Sequence, residues 1–469
     1  MRIVLSLFVV AGLASAVFCN VPSDKSSSTP NVPPGEFVVH EWGTFTSISG
    51  SDGVRLEFRP LLDNDLPDFV INRAWQAGRV PNPLGKWSFR SFQRMETPVT
   101  YFYTDRERDV SVKVGFPKGL LTEFYPPVAS MKPDFDWNKR AAIENSELDW
   151  GRVTLIPTSH LRPQVSTPGL ADRIHEHTLS TIVPGSDTHP HYAFARETDS
   201  ALVHVRRAAN KDRAYTPSGD FFEKFLFYRG LGNFPLPLQI TAQTSGRFEL
   251  SNTGPEPIRS LFLVTVHGDE VRFRQYDAIA AEGHLALEQS TSSASIDELS
   301  EAVVKALVAE NLFEKEARAM VKTWRDSWFQ EEGTRLFYML PERLTDELLP
   351  LTIQPRPDKV VRVMVGRLEI MTPENETRVT QLVQQSATLR QKTAEREAAR
   401  RAAQENGEVV EVDEDAATTS KPPEALAQLG RLAEPALVRV KYFATDATVR
   451  NEAGLLLNEL HQHWSAAGK

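Results

Sequence analysis

Up to about residue 290 the apolar positions recur mainly at every second residue, in short runs separated by Gly, Pro, Asn and Ser; beyond it they recur at helical spacing. The first patterned run is 37–58. Alternation puts Val38, His40, Trp42 and Thr44 on one face of a strand and Val39, Glu41 and Phe45 on the other. Both faces are largely apolar, as in a strand covered on both sides. Gly50, Ser51, Asp52 and Gly53 supply a turn, and Val54, Leu56 and Phe58 then alternate with Arg55, Glu57 and Arg59, predicting a half-buried hairpin.

The stretch 59–95 is rich in Pro, Asn, Gly and Trp and predicts irregular excursions. Strands are expected at 99–103, 110–116, 120–125 and 153–156, with a charged surface loop over 134–149. Strand-like runs follow at 202–205 and within 221–234. Short alternating segments between turn signals across 236–276 predict a β-sandwich of immunoglobulin-like type, resting on pattern alone because the usual disulfide is absent.

From residue 295 the period changes. Ser295 to Glu298 reads as a capping box opening a helix, with Leu299, Val303, Ala306 and Leu307 on one face. A second helix is expected over 314–328, and strands over 335–340 and 360–371. Thr372-Pro373 starts a long helix whose seam (Val379, Leu382, Val383, Ser386, Leu389) gives way to an almost wholly polar surface, as in a solvent-projecting helix. An acidic, then Thr/Ser/Pro-bearing segment, 408–423, has the composition of a disordered linker. A helix pair closes the chain, the first helix kinked or restarted at Pro435 and the second capped by Asp446.

The expected fold class is therefore β-rich α+β: antiparallel sheets or a β-sandwich body with an immunoglobulin-like module, then a long helix and a helix pair. The expected division is a signal peptide at 1–16, a Ser/Pro-rich linker at 17–36, a β-rich domain at 37–235 and a sandwich-like module at 236–290. A mixed α/β segment at 291–372, a long polar helix at 373–406, an acidic linker at 407–423 and the helix pair at 424–469 complete it.

Composition narrows the chemistry. A net charge of −9 argues against a nucleic-acid partner. The single cysteine, Cys19, lies at the end of an apolar leader, so the folded part offers no disulfide, cysteine nucleophile or thiolate metal site. Arg2, the apolar run 3–17 and Ala14-Ser15-Ala16 have the layout of a secretory signal cleaved after Ala16. The alternative is a lipid anchor at Cys19, against which Phe18 counts. Either way the chain is expected to be exported, with no transmembrane helix in the mature part.

Glu41 is the residue that asks for an explanation. A carboxylate between Val39 and Phe45 is costly to bury unless paired. The default is an internal ion pair, with Arg196 and Arg229 as candidate partners; the sharper alternative is an active-site acid or base beside His40. His40, Glu41, Arg196 and Arg229 are thus the candidate catalytic residues. Six of the eleven histidines fall between 160 and 204, including two His-x-His pairs, His175/His177 and His189/His191. On strands each pair would project two imidazoles to one face, which suits a divalent transition metal. No His-Glu-x-x-His is present, and a solvent-exposed loop is the plainer reading. Asp63, Asp65 and Asp68 are spaced like calcium ligands but lack the Gly and Glu of an EF-hand loop.

Several segments carry a resemblance. His40-Glu-Trp-Gly-Thr-Phe-Thr46, Arg94-Met-Glu-Thr-Pro98, Ala195-Arg-Glu-Thr-Asp199, Glu223-Lys-Phe-Leu-Phe-Tyr-Arg229, Glu332-Gly-Thr-Arg335 and Val365-Gly-Arg367 are similar to a family of exported, functionally uncharacterised bacterial proteins of planctomycete type. That resemblance implies export and a single body, and no mechanism. The run Leu429 to Leu437, followed by Asp446, Val449, Arg450 and Ala453, resembles one HEAT-type repeat, an interaction unit that stacks in sets of about three. One such unit implies docking on the body of the protein or on a protein partner at the C-terminal helices.

Two functions are expected from these features. One is a non-catalytic exported protein acting in binding or cell-envelope organisation. The other is an exported metal-dependent hydrolase using the His-rich region with Glu41. No Gly-x-Ser-x-Gly elbow, phosphate loop or dinucleotide fingerprint supports a further enzyme class.

Overall fold

In the computed structural model, Val38–Ser49 runs buried along its whole length through the middle of an 11-stranded sheet. The described residues are 32–59, 66–72, 89–134, 141–161, 183–185, 189–209, 217–406 and 424–467. The strand that lies beside Val38–Ser49 on one flank is Lys359–Ile370, parallel and in register from Val38/Lys359 to Ser49/Ile370. On the other flank Val99–Tyr103 and Gln93–Met95 share its length, both antiparallel. The sheet continues outward through Gly333–Met339, Ile258–His267 and Glu270–Ile279 on the first side, and through Leu226–Gly232, Gly119–Tyr125 and Ile71–Asn72 on the second.

The alternation read in the first strand corresponds to two different cores. Val39 and Phe45 face a core shared with Val112, Trp150 and Leu250, which come from a six-stranded and a three-stranded sheet stacked on that side. Val38 and Trp42 face the opposite core, built with Leu307, Met320 and Trp328 from the helices Ile296–Ala309 and Glu314–Phe329. A strand clad by sheets on one face and helices on the other has no polar face to spare. The chain is β-rich, with mixed and antiparallel sheets and several helices.

Several expectations were displaced. The hairpin return is only Arg55–Leu56, paired with the end of the first strand, and Val54 is exposed. The rest of that flank is taken by Val99–Tyr103 and Gln93–Met95, opposite the long parallel partner. The surface loop expected at 134–149 includes the first residues of an 11-residue strand, Ser146–Ile156, in which Leu148 and Trp150 point inward between Glu147 and Asp149. Its charges occupy only the outward positions, so charge content alone disguised it. The segment 236–290 divides between two sheets: Leu238–Ala242, Arg247–Asn252 and His284–Glu288 form the three-stranded sheet, while Ile258–His267 and Glu270–Ile279 extend the large one. The continuous apolar run of Ile258–His267 is the reason, since it is covered on both faces and pairs with Gly333–Met339.

The helical readings hold more closely. Ser295 Oγ accepts from the Glu298 amide at 3.1 Å, and Glu298 Oε2 accepts from the Ser295 amide at 2.7 Å. The helix Pro373–Glu405 packs its first half through Val379 and Val383 against Ala433–Phe443 and Ala447–Ala467, so only its later part projects. Pro435 lies in the first turn of Ala433–Phe443, where its missing N–H costs nothing. Among the described residues no helix is long and apolar enough to cross a membrane.

Candidate ligand pocket

His40 and Glu41 are neighbours in sequence and lie on opposite faces of the sheet. Glu41 Oε2 accepts from both Arg362 Nε at 2.8 Å and Nη2 at 2.5 Å, while Oε1 accepts from Tyr228 Oη at 2.7 Å and Thr100 Oγ1 at 3.0 Å. Every one of these groups is buried. The expected ion pair exists, but its arginine is Arg362, not Arg196 or Arg229. Arg196 instead forks onto Glu223 at 2.9 and 2.8 Å, and the Arg229 guanidinium lies 5.6 Å from the Phe227 ring centre. The reason is register: Glu41 and Arg362 occupy paired positions on the two parallel strands. His40 hydrogen-bonds through Nδ1 to Glu316 Oε2 at 2.8 Å and stacks on Phe313 at 4.4 Å. Tyr103 Oη donates to the other Glu316 oxygen at 2.6 Å. This ties the central strand to the start of the helix Glu314–Phe329.

The histidines among the described residues do not gather. His175, His177, Asp63 and Asp65 lie outside the described residues. His189 stands at the N-cap of the short helix Pro190–Phe194 and His191 within it, so the pair is not displayed along a strand. His204 bonds Asp220 at 2.8 Å and stacks on Phe222. Among the described residues no three His, Cys, Asp or Glu side chains are grouped to hold a metal ion.

What the fold does assemble is a cavity of about 420 Å³ on the helical face of the sheet. Volumes of this order are typical of small-molecule sites, roughly 300–1,000 Å³. Its walls follow from strand alternation: Phe225, Phe227 and Arg229 reach one face at successive odd positions, beside Trp42 and Val99. The short helix contributes His191, Tyr192 and Ala195, and the helix Glu314–Phe329 closes the top with Thr323, Trp324 and Ser327. Arg431, from the turn Gly430–Leu432, closes one end together with Arg94 and Glu96. Of the residues singled out from sequence, Arg229 and His191 line this cavity, while His40, Glu41 and Arg196 do not.

The cavity grades from apolar to ionic. At the ionic end Glu96 takes a hydrogen bond from Thr46 at 2.8 Å and faces Arg94 at 3.2 Å and Arg431 at 3.5 Å. Burial pushes the Glu96 carboxyl up, but Arg94, Arg431 and Arg367 outweigh it and hold it well below the usual carboxylate range. Glu331 bridges Arg431 at 3.2 Å and Arg367 at 2.7 Å; Glu369 bridges Arg367 at 2.5 Å and Arg335 at 3.2 Å. Burial likewise raises Glu369, and Arg335 and Arg367 reverse the sign. The C-terminal turn is thereby locked to the sheet by charge as well as by the apolar contacts of Leu432 and Leu437.

Trp324 Nε1 and His191 Nδ1 are buried without a hydrogen bond, and both residues line the cavity. The hydroxyls there are already committed: Thr323 donates to the Ala319 carbonyl at 2.9 Å, Thr97 to the Glu96 carbonyl, and Ser327 to the Trp324 carbonyl at 3.3 Å. Tyr192, which also lines the cavity, donates its hydroxyl to Glu223 Oε2 at 3.3 Å. The lining combines aromatic walls, an N–H donor without an acceptor and a charged end. Sequence reading missed Trp324, Tyr192, Arg94 and Arg431, although the odd-position stripe ending in Arg229 was visible.

No family model matches the chain, and no curated protein matches it. Among solved structures it is similar to the yeast delta-COP-I mu-homology domain, at 7% identity over 72% of this chain and 98% of that one, with a TM-score of 0.24. The same domain complexed with a Dsl1 WxWxV peptide matches at 7% identity over the same shares, with a TM-score of 0.22. Similarity this low carries no argument about fold or function.

Proposed function

We propose that this chain is an exported, non-catalytic binding protein that takes a small ligand into the cavity between the central sheet and the helix Glu314–Phe329. The observation that carries this reading is the cavity itself: aromatic walls from Phe225, Phe227 and Trp324, closed at one end by Arg94, Glu96 and Arg431. Export rests on the apolar leader ending in Ala14-Ser15-Ala16, with acylation of Cys19 as the tethered form, and on the resemblance to exported planctomycete-type proteins. A protein partner at the C-terminal helices is supported by the exposed rings of Tyr442 and Phe443 at the end of Ala433–Phe443, the part of the chain that resembles a single HEAT-type repeat. The metal-dependent hydrolase has no ligand cluster supporting it among the described residues.

The test compares the mature protein with Ala195→Phe, which fills the cavity. Small aromatic probes are titrated against tryptophan emission, since Trp42 and Trp324 line the cavity. Saturable binding that Ala195→Phe removes while the variant stays folded supports the reading. Chelator-sensitive turnover of a p-nitrophenyl ester, lost on substitution of His175 or His177, would replace it with the hydrolase.

A further inference from the structure

We infer that the cavity takes an uncharged, chiefly aromatic molecule, and neither an ion nor a sugar. This rests on the binding reading above and specifies its ligand. Two features of the lining carry it: its charges are balanced and paired, and most of its hydrogen-bonding groups are already engaged.

Three arginines, Arg94, Arg229 and Arg431, and three carboxylates, Glu96, Asp326 and Glu331, line the cavity, so it carries no formal surplus of either sign. Glu96 lies 3.2 Å from Arg94 and 3.5 Å from Arg431, and Glu331 lies 3.2 Å from Arg431. Arg229 stands in register with buried Glu123 on the neighbouring strand. Asp326 is exposed and accepts from the Gln330 amide at 3.0 Å. An ion entering from water, whatever its sign, would have to break one of these pairs or stay without a counter-charge.

The neutral polar groups are similarly engaged. Thr97, Thr323 and Ser327 donate their hydroxyls to backbone carbonyls, and Tyr192 donates to Glu223. The groups without a partner, such as Trp324 Nε1 and His191 Nδ1, are single buried ring nitrogens. A sugar needs several donors and acceptors at once, and each hydroxyl left unmet on burial weakens binding. What the lining offers in quantity is ring surface. The Tyr192 ring centre lies 5.3 Å from that of Phe225 and 5.4 Å from that of Phe227, and Trp324 stacks on Trp328.

A matched series separates charge from body. The mature protein is titrated calorimetrically with cinnamamide, cinnamate and cinnamylamine, which share one planar body, and with maltose. Cinnamamide is expected to bind at least about ten-fold more tightly than either ion, and maltose not at all. Two substitutions then unbalance the lining in opposite senses. Arg431→Gln should move the ratio of amine to carboxylate affinity at least about three-fold toward the amine, and Glu331→Gln should move it toward the carboxylate by a similar factor. A variant that failed to fold would lose all three ligands rather than reorder them, and the unaltered protein would then decide the class alone. If either ion binds as tightly as the amide, if maltose binds, or if the two folded variants do not shift the ratio in opposite directions, the ligand class fails and the cavity reading survives. If none of the aromatic compounds binds at millimolar concentration, both fail.

Discussion

Glu41 and Arg362 stand side by side on two parallel strands, 321 residues apart in the chain, with Arg362 Nε 2.8 Å from Glu41 Oε2. Tyr228 and Thr100 occupy the remaining carboxylate oxygen, so no lone pair points toward a substrate. The carboxylate therefore joins the sheet at its centre. Glu41→Gln is expected to cost about 3–5 kcal/mol, because it leaves a buried guanidinium uncompensated. Urea denaturation checks it. Unchanged stability would return Glu41 to the list of catalytic candidates.

Acid should loosen the ionic end of the cavity. Glu96 and Glu369 are buried, which raises them, yet their arginines hold both below the ordinary value of about 4.3. A carboxyl depressed on folding contributes fully above its unfolded pKa and loses that contribution as pH falls through its folded one. Stability measured by urea denaturation should be flat above about pH 5 and fall below about pH 4. Glu96→Gln should be less stable at pH 7 and decline less steeply in acid; an identical acid limb in the variant would remove Glu96 from the account.

Gly366 is paired with Tyr338 across adjacent strands, and the Tyr338 ring lies over the space a side chain would fill. An added methyl group would enter the ring itself. Gly366→Ala should therefore cost at least about 1–3 kcal/mol by overpacking, and Tyr338→Leu in the same chain should recover part of it. Thermal melts of the single and double variants read this directly. Additive losses would show that the two positions do not share the space.

Legibility followed locality. The alternation of Val38 to Phe45, the Ser295 to Glu298 box and the helix 314–328 were readable because each is decided within one turn or one strand. Ser146–Ile156 was half hidden because Glu147 and Asp149 look like loop residues until Leu148 and Trp150 are given an inside. The partner of Glu41 was unreadable, since nothing local states that residue 362 will lie beside residue 41. The cavity is the extreme case: Trp42, Arg94, Tyr192, Phe227, Trp324 and Arg431 come from six distant segments. Of the lining, only Arg229 and His191 had been candidate site residues, and each for a different reason.

The parallel pairing of Val38–Ser49 with Lys359–Ile370 also sets a timetable for the chain. The first strand to leave the ribosome cannot meet its longest neighbour until more than three hundred residues have followed, so the centre of the sheet is among the last things to close. Contacts so distant in sequence make folding slow. Until then the apolar edges of the first strand stay open to strangers. A chain built this way stays pliable through synthesis and commits its central sheet late.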